Sequence, residues 1–106
     1  MIKIDFYQNG YIVSGHANYS NNNDVVCAGV SSITIGSINW FNHDDIFIKI
    51  NDGYLFLEIK QKLDLYIKYL DLIKIQLESI EINPDYKKYL KISYHNSLIG
   101  GINDAK

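Results

Sequence analysis

Two tight-turn signals, each flanked by short runs of strand-forming residues, set the limits on what this chain folds into. Ile2-Lys3-Ile4-Asp5-Phe6-Tyr7 alternates apolar and polar side chains, the period of a half-buried strand. Asn9-Gly10 follows, a pair suited to a type I′ turn because both central positions of that turn take positive φ. Tyr11 to His16 is the returning strand. A two-residue turn there pairs Phe6 with Val13 and Ile4 with Gly15, which puts His16 on the face of Ser14, away from Ile2, Ile4 and Phe6. Asp45–Ile50 and Tyr54–Lys60 form a second hairpin about Asn51-Asp52-Gly53.

Each hairpin is followed by a helix. Val25 to Phe41 is apolar around most of its circumference (Val26, Val30, Ile33, Ile38, Trp40, Phe41), which predicts burial between layers. Gly29, Ser32 and Gly36 make a small-residue stripe along it that lets another backbone approach, within the fold or across a dimer. Asn42-His43-Asp44 breaks this helix. Leu63 to Ile82 is the second, with Leu63, Ile67, Leu70, Ile73, Leu77 and Ile80 as its core stripe. Asn83-Pro84-Asp85 ends it, because proline disfavours helix in the residue before it. Lys88 to Tyr94 is a last strand, and the tail from Ile99 to Lys106 frays. The order ββαββαβ defines an α+β chain of antiparallel hairpins packed with two helices, and residues 1–106 are read as one domain.

Composition matters here mainly for what it excludes. Net charge is −2, so no global field draws the chain to nucleic acid or an anionic membrane. The cations are ten lysines with no arginine. A phosphatase loop that grips phosphate with a guanidinium fork cannot be built, nor can arginine read guanine bidentately. No run approaches the roughly 20 apolar residues that span a bilayer. The N-terminus lacks the apolar stretch of a signal peptide, and a lone cysteine fits a reducing cytoplasm.

That cysteine carries the chemistry. Asp24 stands where it would cap the first helix, which places Cys27 third in the helix, inside the first turn. The unpaired N–H groups and the positive end of the helix dipole favour an anion there, and the thiolate is the nucleophilic form of cysteine. The plain alternative is a small buried hydrophobe. Three histidines are candidate partners. His43 lies sixteen residues on, about 24 Å away along a helix, and cannot reach the thiol. His95, after the last strand, stays open. His16 begins the loop that ends at Asp24, so a short closed loop brings it to Cys27. Asp24 is a cap in any case; its carboxylate can also orient His16, yet it opposes a thiolate nearby. One Cys and three His lack C-x-x-C or H-x3-H spacing, so neither a metal site nor a cofactor is expected.

Gly15-His16-Ala17, then Asn23-Asp24-Val25-Val26-Cys27-Ala28-Gly29-Val30-Ser31, resembles the ribosomal-processing cysteine protease Prp family, whose hallmark is G-H-A, a short loop and G-D-I-V-C-A-(A/G)-(V/I)-S. The resemblance implies a cysteine endopeptidase that removes a short N-terminal extension from a large-subunit ribosomal protein. It further implies a homodimer of small subunits with the dyad beneath a mobile loop. Carried over by position, His16 is the general base, Cys27 the nucleophile, and Asp24 and Ser31 are supporting residues. One departure stands out: the family's glycine before the aspartate is replaced within Asn21-Asn22-Asn23, and asparagine tolerates the left-handed region best among the other residues. The loop over residues 17–23 is expected to gate the thiol. Backbone N–H groups of the first helical turn are candidate oxyanion donors. The competing class is a non-catalytic, ribosome-associated interaction domain of the same fold.

Overall fold

The computed structural model describes residues 1–17 and 24–99. Among these residues the strands are β1 (Ile2–Tyr7), β2 (Gly10–Ser14), β3 (Ile46–Asn51), β4 (Tyr54–Ile59) and β5 (Leu90–Tyr94), in the sheet order β3-β4-β2-β1-β5. The two hairpins are antiparallel, as expected, while β5 joins the edge parallel to β1. Two helices, α1 (Val25–Gly36) and α2 (Leu63–Glu81), complete the α+β order ββαββαβ.

Alternation decides which side chains meet the helices. Ile2, Ile4 and Phe6 of β1, Tyr11 of β2, Leu55, Leu57 and Ile59 of β4, and Leu90 and Ile92 of β5 share one core. Val26 and Val30 of α1 and Tyr66, Leu70, Ile73 and Leu77 of α2 close it. Each such large side chain contributes about 1.5–3 kcal/mol by leaving water. Tyr7 of β1 and Phe56 of β4, from the alternate strand positions, form a smaller cluster with Ile99, with Ile12 and Tyr54 packed against it. Ile99 is fully buried there and its N–H donates to Asn9 Oδ1 at 2.7 Å, so the frayed tail does not begin at this residue. The rest of the tail, 100–106, and the loop segment 18–23 lie outside the described residues.

The first hairpin departs from its sequence reading. Phe6 pairs with Tyr11 and Ile4 with Val13, so the turn is Gln8-Asn9 and Gly10 already belongs to β2. Gly10 is required by space, since a Cβ there would lie 2.0 Å from the Leu57 carbonyl oxygen of β4. The register differs by two residues, which preserves the faces of the strand. His16 is different. Gly15 has φ +90°, which ends the alternation, and His16 lies across the β3–β4 turn in a cleft that Ile2 and Val13 also line.

The helices are also more one-sided than expected. Val26, Val30 and Thr34 are the buried residues of α1, whereas Val25 and Ile35 are half exposed, so α1 is not enclosed between layers. It stops at Gly36 and tightens into a 3-10 turn over Ser37–Trp40. Within the small-residue stripe, a Cβ on Gly29 would touch Ile80 of α2 at 3.4 Å, and one on Gly36 would meet nothing within 4 Å. In α2, Ile67 is exposed and Tyr66 takes the core place instead. Its ring packs on Phe41 at 5.1 Å between centroids and its hydroxyl donates to the buried Asp45. Asp45 also receives Gln61 Nε2 at 2.7 Å and faces Lys62 Nζ at 3.8 Å. Lys62 itself takes the left-handed conformation, φ 61°, at the entry to α2.

Candidate active site

Asp24 caps α1 as its position in the sequence predicts. The residue is extended (φ −76°, ψ 94°), and its Oδ1 accepts from Val26 N at 3.1 Å and Cys27 N at 3.0 Å. The Asp24 carbonyl accepts from Ala28 N at 3.0 Å. The Val26, Cys27 and Ala28 amides of the first turn are therefore engaged by Asp24. Cys27 is partly buried at the edge of the core, and its thiol is met from outside the helix. Ala17 N donates to Cys27 Sγ at 3.3 Å, although the two residues are ten apart in sequence. Ala17 is buried and Cys27 partly so, which leaves the bond half-shielded at the edge of the cleft.

The residue preceding Ala17 is His16, so the bond that satisfies the sulfur also anchors the histidine. His16 extends over the β3–β4 turn: its Nε2 lies 4.0 Å from Asp52 Oδ1. The turn is tied to the end of β2 by Gly15 N, which donates to the Gly53 carbonyl at 2.9 Å. Cys27 and His16 then line one cleft of about 260 Å³ between α1 and the end of the sheet. Ser31 lines it one helical turn beyond Cys27, and Ile2, Val13 and Leu55 supply an apolar floor. An extended peptide can be bound against such a floor while its backbone carbonyl is presented to the thiol.

The other histidines are placed elsewhere. His43 sits in a 3-10 turn over His43–Asp45 and does not line this cleft. His95 pairs with Asp5 at 2.8 Å, stacks on Tyr7 with centroids 4.5 Å apart, and lines a separate hollow. Among the described residues no group of three His, Cys, Asp or Glu side chains is arranged to hold a metal ion. No helix among them is long and apolar enough to cross a membrane. Three neighbours of the pair went unread in the sequence. Asp52 and Gly53 are legible there only as turn residues, and nothing local links them to a histidine some 36 positions earlier. The Ala17 amide carries no sequence signature at all.

A thiol at a helix N-terminus, met by the backbone beside a histidine in an apolar cleft, is an arrangement suited to thiol-dependent hydrolysis. The chain belongs to the cysteine protease Prp family, whose model matches residues 1–91. It is 31% identical to the ribosomal processing cysteine protease Prp of Mycoplasma pneumoniae over 83 residues, 76% of this chain and 83% of that protein. The corresponding Mycoplasma genitalium protein is 43% identical over 47 residues, and this match spans 43% of the chain and about half, 48%, of that relative. In fold, the chain resembles the crystal structure of an essential ribosomal processing protease Prp from S. aureus in complex with a covalently linked product peptide. That likeness has a TM-score of 0.78 at 24% identity and covers 90% of this chain and 100% of the other.

Proposed function

We propose that this family member works as a cysteine endopeptidase with Cys27 as nucleophile and His16 as general base, removing a short N-terminal extension from a large-subunit ribosomal protein. The observation that carries the dyad is the Ala17 N–H bonded to Cys27 Sγ, which holds residue 16 beside the thiol in a shared cleft. The names of the mycoplasmal relatives support the ribosomal substrate. His16 accepts the thiol proton as Sγ attacks the scissile carbonyl carbon, forming the C–S bond. The tetrahedral species collapses, the C–N bond breaks, and the imidazolium returns its proton to the leaving amine. His16 next takes a proton from water, whose oxygen attacks the thioester. The C–S bond breaks, the acid is released, and the proton returns to the thiolate. No cofactor enters this cycle.

Asp24 supports the site by starting α1 where Cys27 falls in its first turn, and Ser31 by supplying a hydroxyl inside the cleft. The working unit in this reading is a single domain over residues 1–106 acting in the cytoplasm, with no direct part for nucleic acid. It is also a homodimer. Leu65, Leu72 and Ile75 on α2 and Ile82 just past its end are all at least half exposed, at spacings of seven and three that align them on one side. A monomeric mass at micromolar concentration would remove the dimer. The test of function is incubation with the ribosomal precursor and mass measurement of the product. Wild type releases the extension. Cys27→Ala, still folded by circular dichroism, lowers the rate by about a thousand-fold or more. Cleavage by the Cys27→Ala protein at the wild-type rate would overturn the assignment.

A further inference from the structure

We propose that the β3–β4 turn is a positioning device for His16, with Gly53 giving room to the Nε2 edge of the imidazole and Asp52 holding that edge by charge. The inference rests on the Cys27–His16 reading above and adds two residues to it.

Three contacts meet at this turn. First, a Cβ built on Gly53 would lie 2.8 Å from His16 Nε2, 3.3 Å from Cε1 and 3.4 Å from Cδ2. Nε2 is the nearest atom and the next two are its ring neighbours, so the ring presents its Nε2 edge to the turn. Any side chain at residue 53 would push that edge away. Second, Asp52 Oδ1 stands 4.0 Å from the same nitrogen. Third, the Gly15 N–H bond to the Gly53 carbonyl at 2.9 Å ties the turn to the residue preceding His16, so the turn and the histidine backbone move together. Gly53 also has φ +67°, a conformation that a residue with a Cβ adopts only under strain.

The consequence is a division of labour between the two ring nitrogens. With Nε2 directed at Asp52, the opposite nitrogen, Nδ1, is the one left to take the thiol proton. A carboxylate on one imidazole nitrogen sets the tautomer and orientation of the ring and stabilises the imidazolium that forms when the other nitrogen accepts a proton. Among the described residues lining the cleft the ionisable side chains are His16, Cys27, Asp52 and Tyr54, and Asp52 is the carboxylate of that set. Asp24, at the cap of α1, has its Oδ1 committed to the Val26 and Cys27 amides. Asp52 is 99% exposed and His16 55% exposed, so the charge term is small and screened by salt, whereas the contact with Gly53 is steric and is not.

The experiment is alkylation of Cys27 by iodoacetamide at about pH 6.5 and about pH 10, on wild type, His16→Gln, Asp52→Asn, Asp52→Glu and Gly53→Ala. At the lower pH the thiolate depends on its base, while at the higher pH hydroxide forms it without help. His16→Gln slows the reaction at the lower pH. Asp52→Asn slows it about three-fold, an effect that disappears in 1 M salt and is restored by Asp52→Glu. Gly53→Ala slows it about ten-fold or more, in salt and out of it. At about pH 10 all variants react within about two-fold of wild type. On the peptide substrate, kcat falls in the Asp52 and Gly53 variants and KM does not.

A wild-type rate at the lower pH in either Asp52→Asn or Gly53→Ala, with His16→Gln slow, overturns the positioning role and leaves the dyad standing. An unchanged rate in His16→Gln overturns the dyad. A uniform loss at both pH values in the turn variants means that they disturb the thiol directly, and it too overturns the proposal.

Discussion

Tyr11→Phe tests how the sheet holds the helix that carries the thiol. The Tyr11 ring is fully buried beneath α1, and its hydroxyl donates to the Thr34 carbonyl at 2.9 Å. Burial pushes the phenol up from 10.0 to about 12, against a smaller opposing effect of the Ser37 hydroxyl. The folded value thus lies above the unfolded one, so the stabilisation is complete below about pH 10 and is lost as pH rises through about 12. Two pH units correspond to about 2.7 kcal/mol in full, and the share lost between about pH 9 and about pH 11 is about 1.3 kcal/mol. The phenylalanine variant has no proton to lose there. At neutral pH it lacks one hydrogen bond, a cost of about 1 kcal/mol, held low because Ser37 Oγ still donates to the Thr34 carbonyl at 3.3 Å. Wild type is therefore the more stable protein at about pH 9, and the difference closes by about pH 11. Urea unfolding followed by far-ultraviolet circular dichroism at the two pH values measures this directly. Tyr7 and Tyr94, raised by burial, and Tyr66, raised by its bond to Asp45, are common to both proteins and cancel. A stability gap that is the same at both pH values would refute the reasoning.

Three further outcomes concern stability. Gly10→Ala forces a Cβ to within 2.0 Å of the Leu57 carbonyl oxygen, a backbone atom that cannot yield without breaking the β2–β4 ladder, and costs about 3 kcal/mol in a thermal melt. Gly36→Ala, where a Cβ meets nothing within 4 Å, instead raises stability by about 0.5 kcal/mol. Asp45 is held below the ordinary carboxylate range, first by the Tyr66 hydroxyl and then, against the cost of burial, by Gln61 and Lys62. Its contribution is present above the ordinary carboxylate value and is lost as pH falls through the lowered one, so Asp45→Asn flattens the acid limb of the unfolding profile. An unchanged acid limb in that variant would show that the contact is idle.

Much of the site could be read before any fold was known because its chemistry is local. A helix cap and a thiol in the first turn are set by residues three apart, and Asp24 and Cys27 stand as that spacing requires. Hairpin faces were legible for the same reason, since a period of two survives even the two-residue error in the register of β1 and β2. The errors cluster where a distant partner overrode a local preference. Gly10 reads as a turn residue, yet β4 claims it for close approach. Ile67 reads as a core residue of α2 but is exposed, and Tyr66, whose hydroxyl bonds the buried Asp45, takes that place. Trp40 reads as core and is 42% exposed because α1 tightens before reaching it.

The sequence by itself determined the element order, the start of α1 and the candidate thiol, because each depends on neighbours within a turn or a strand of the same segment. Only the tertiary structure decided what the thiol and histidine touch. It brought the Ala17 amide to the sulfur and laid His16 on a turn from the other hairpin. Such contacts join residues that no local periodicity relates, and they form only when β2 and β4 pair and α1 packs across the sheet.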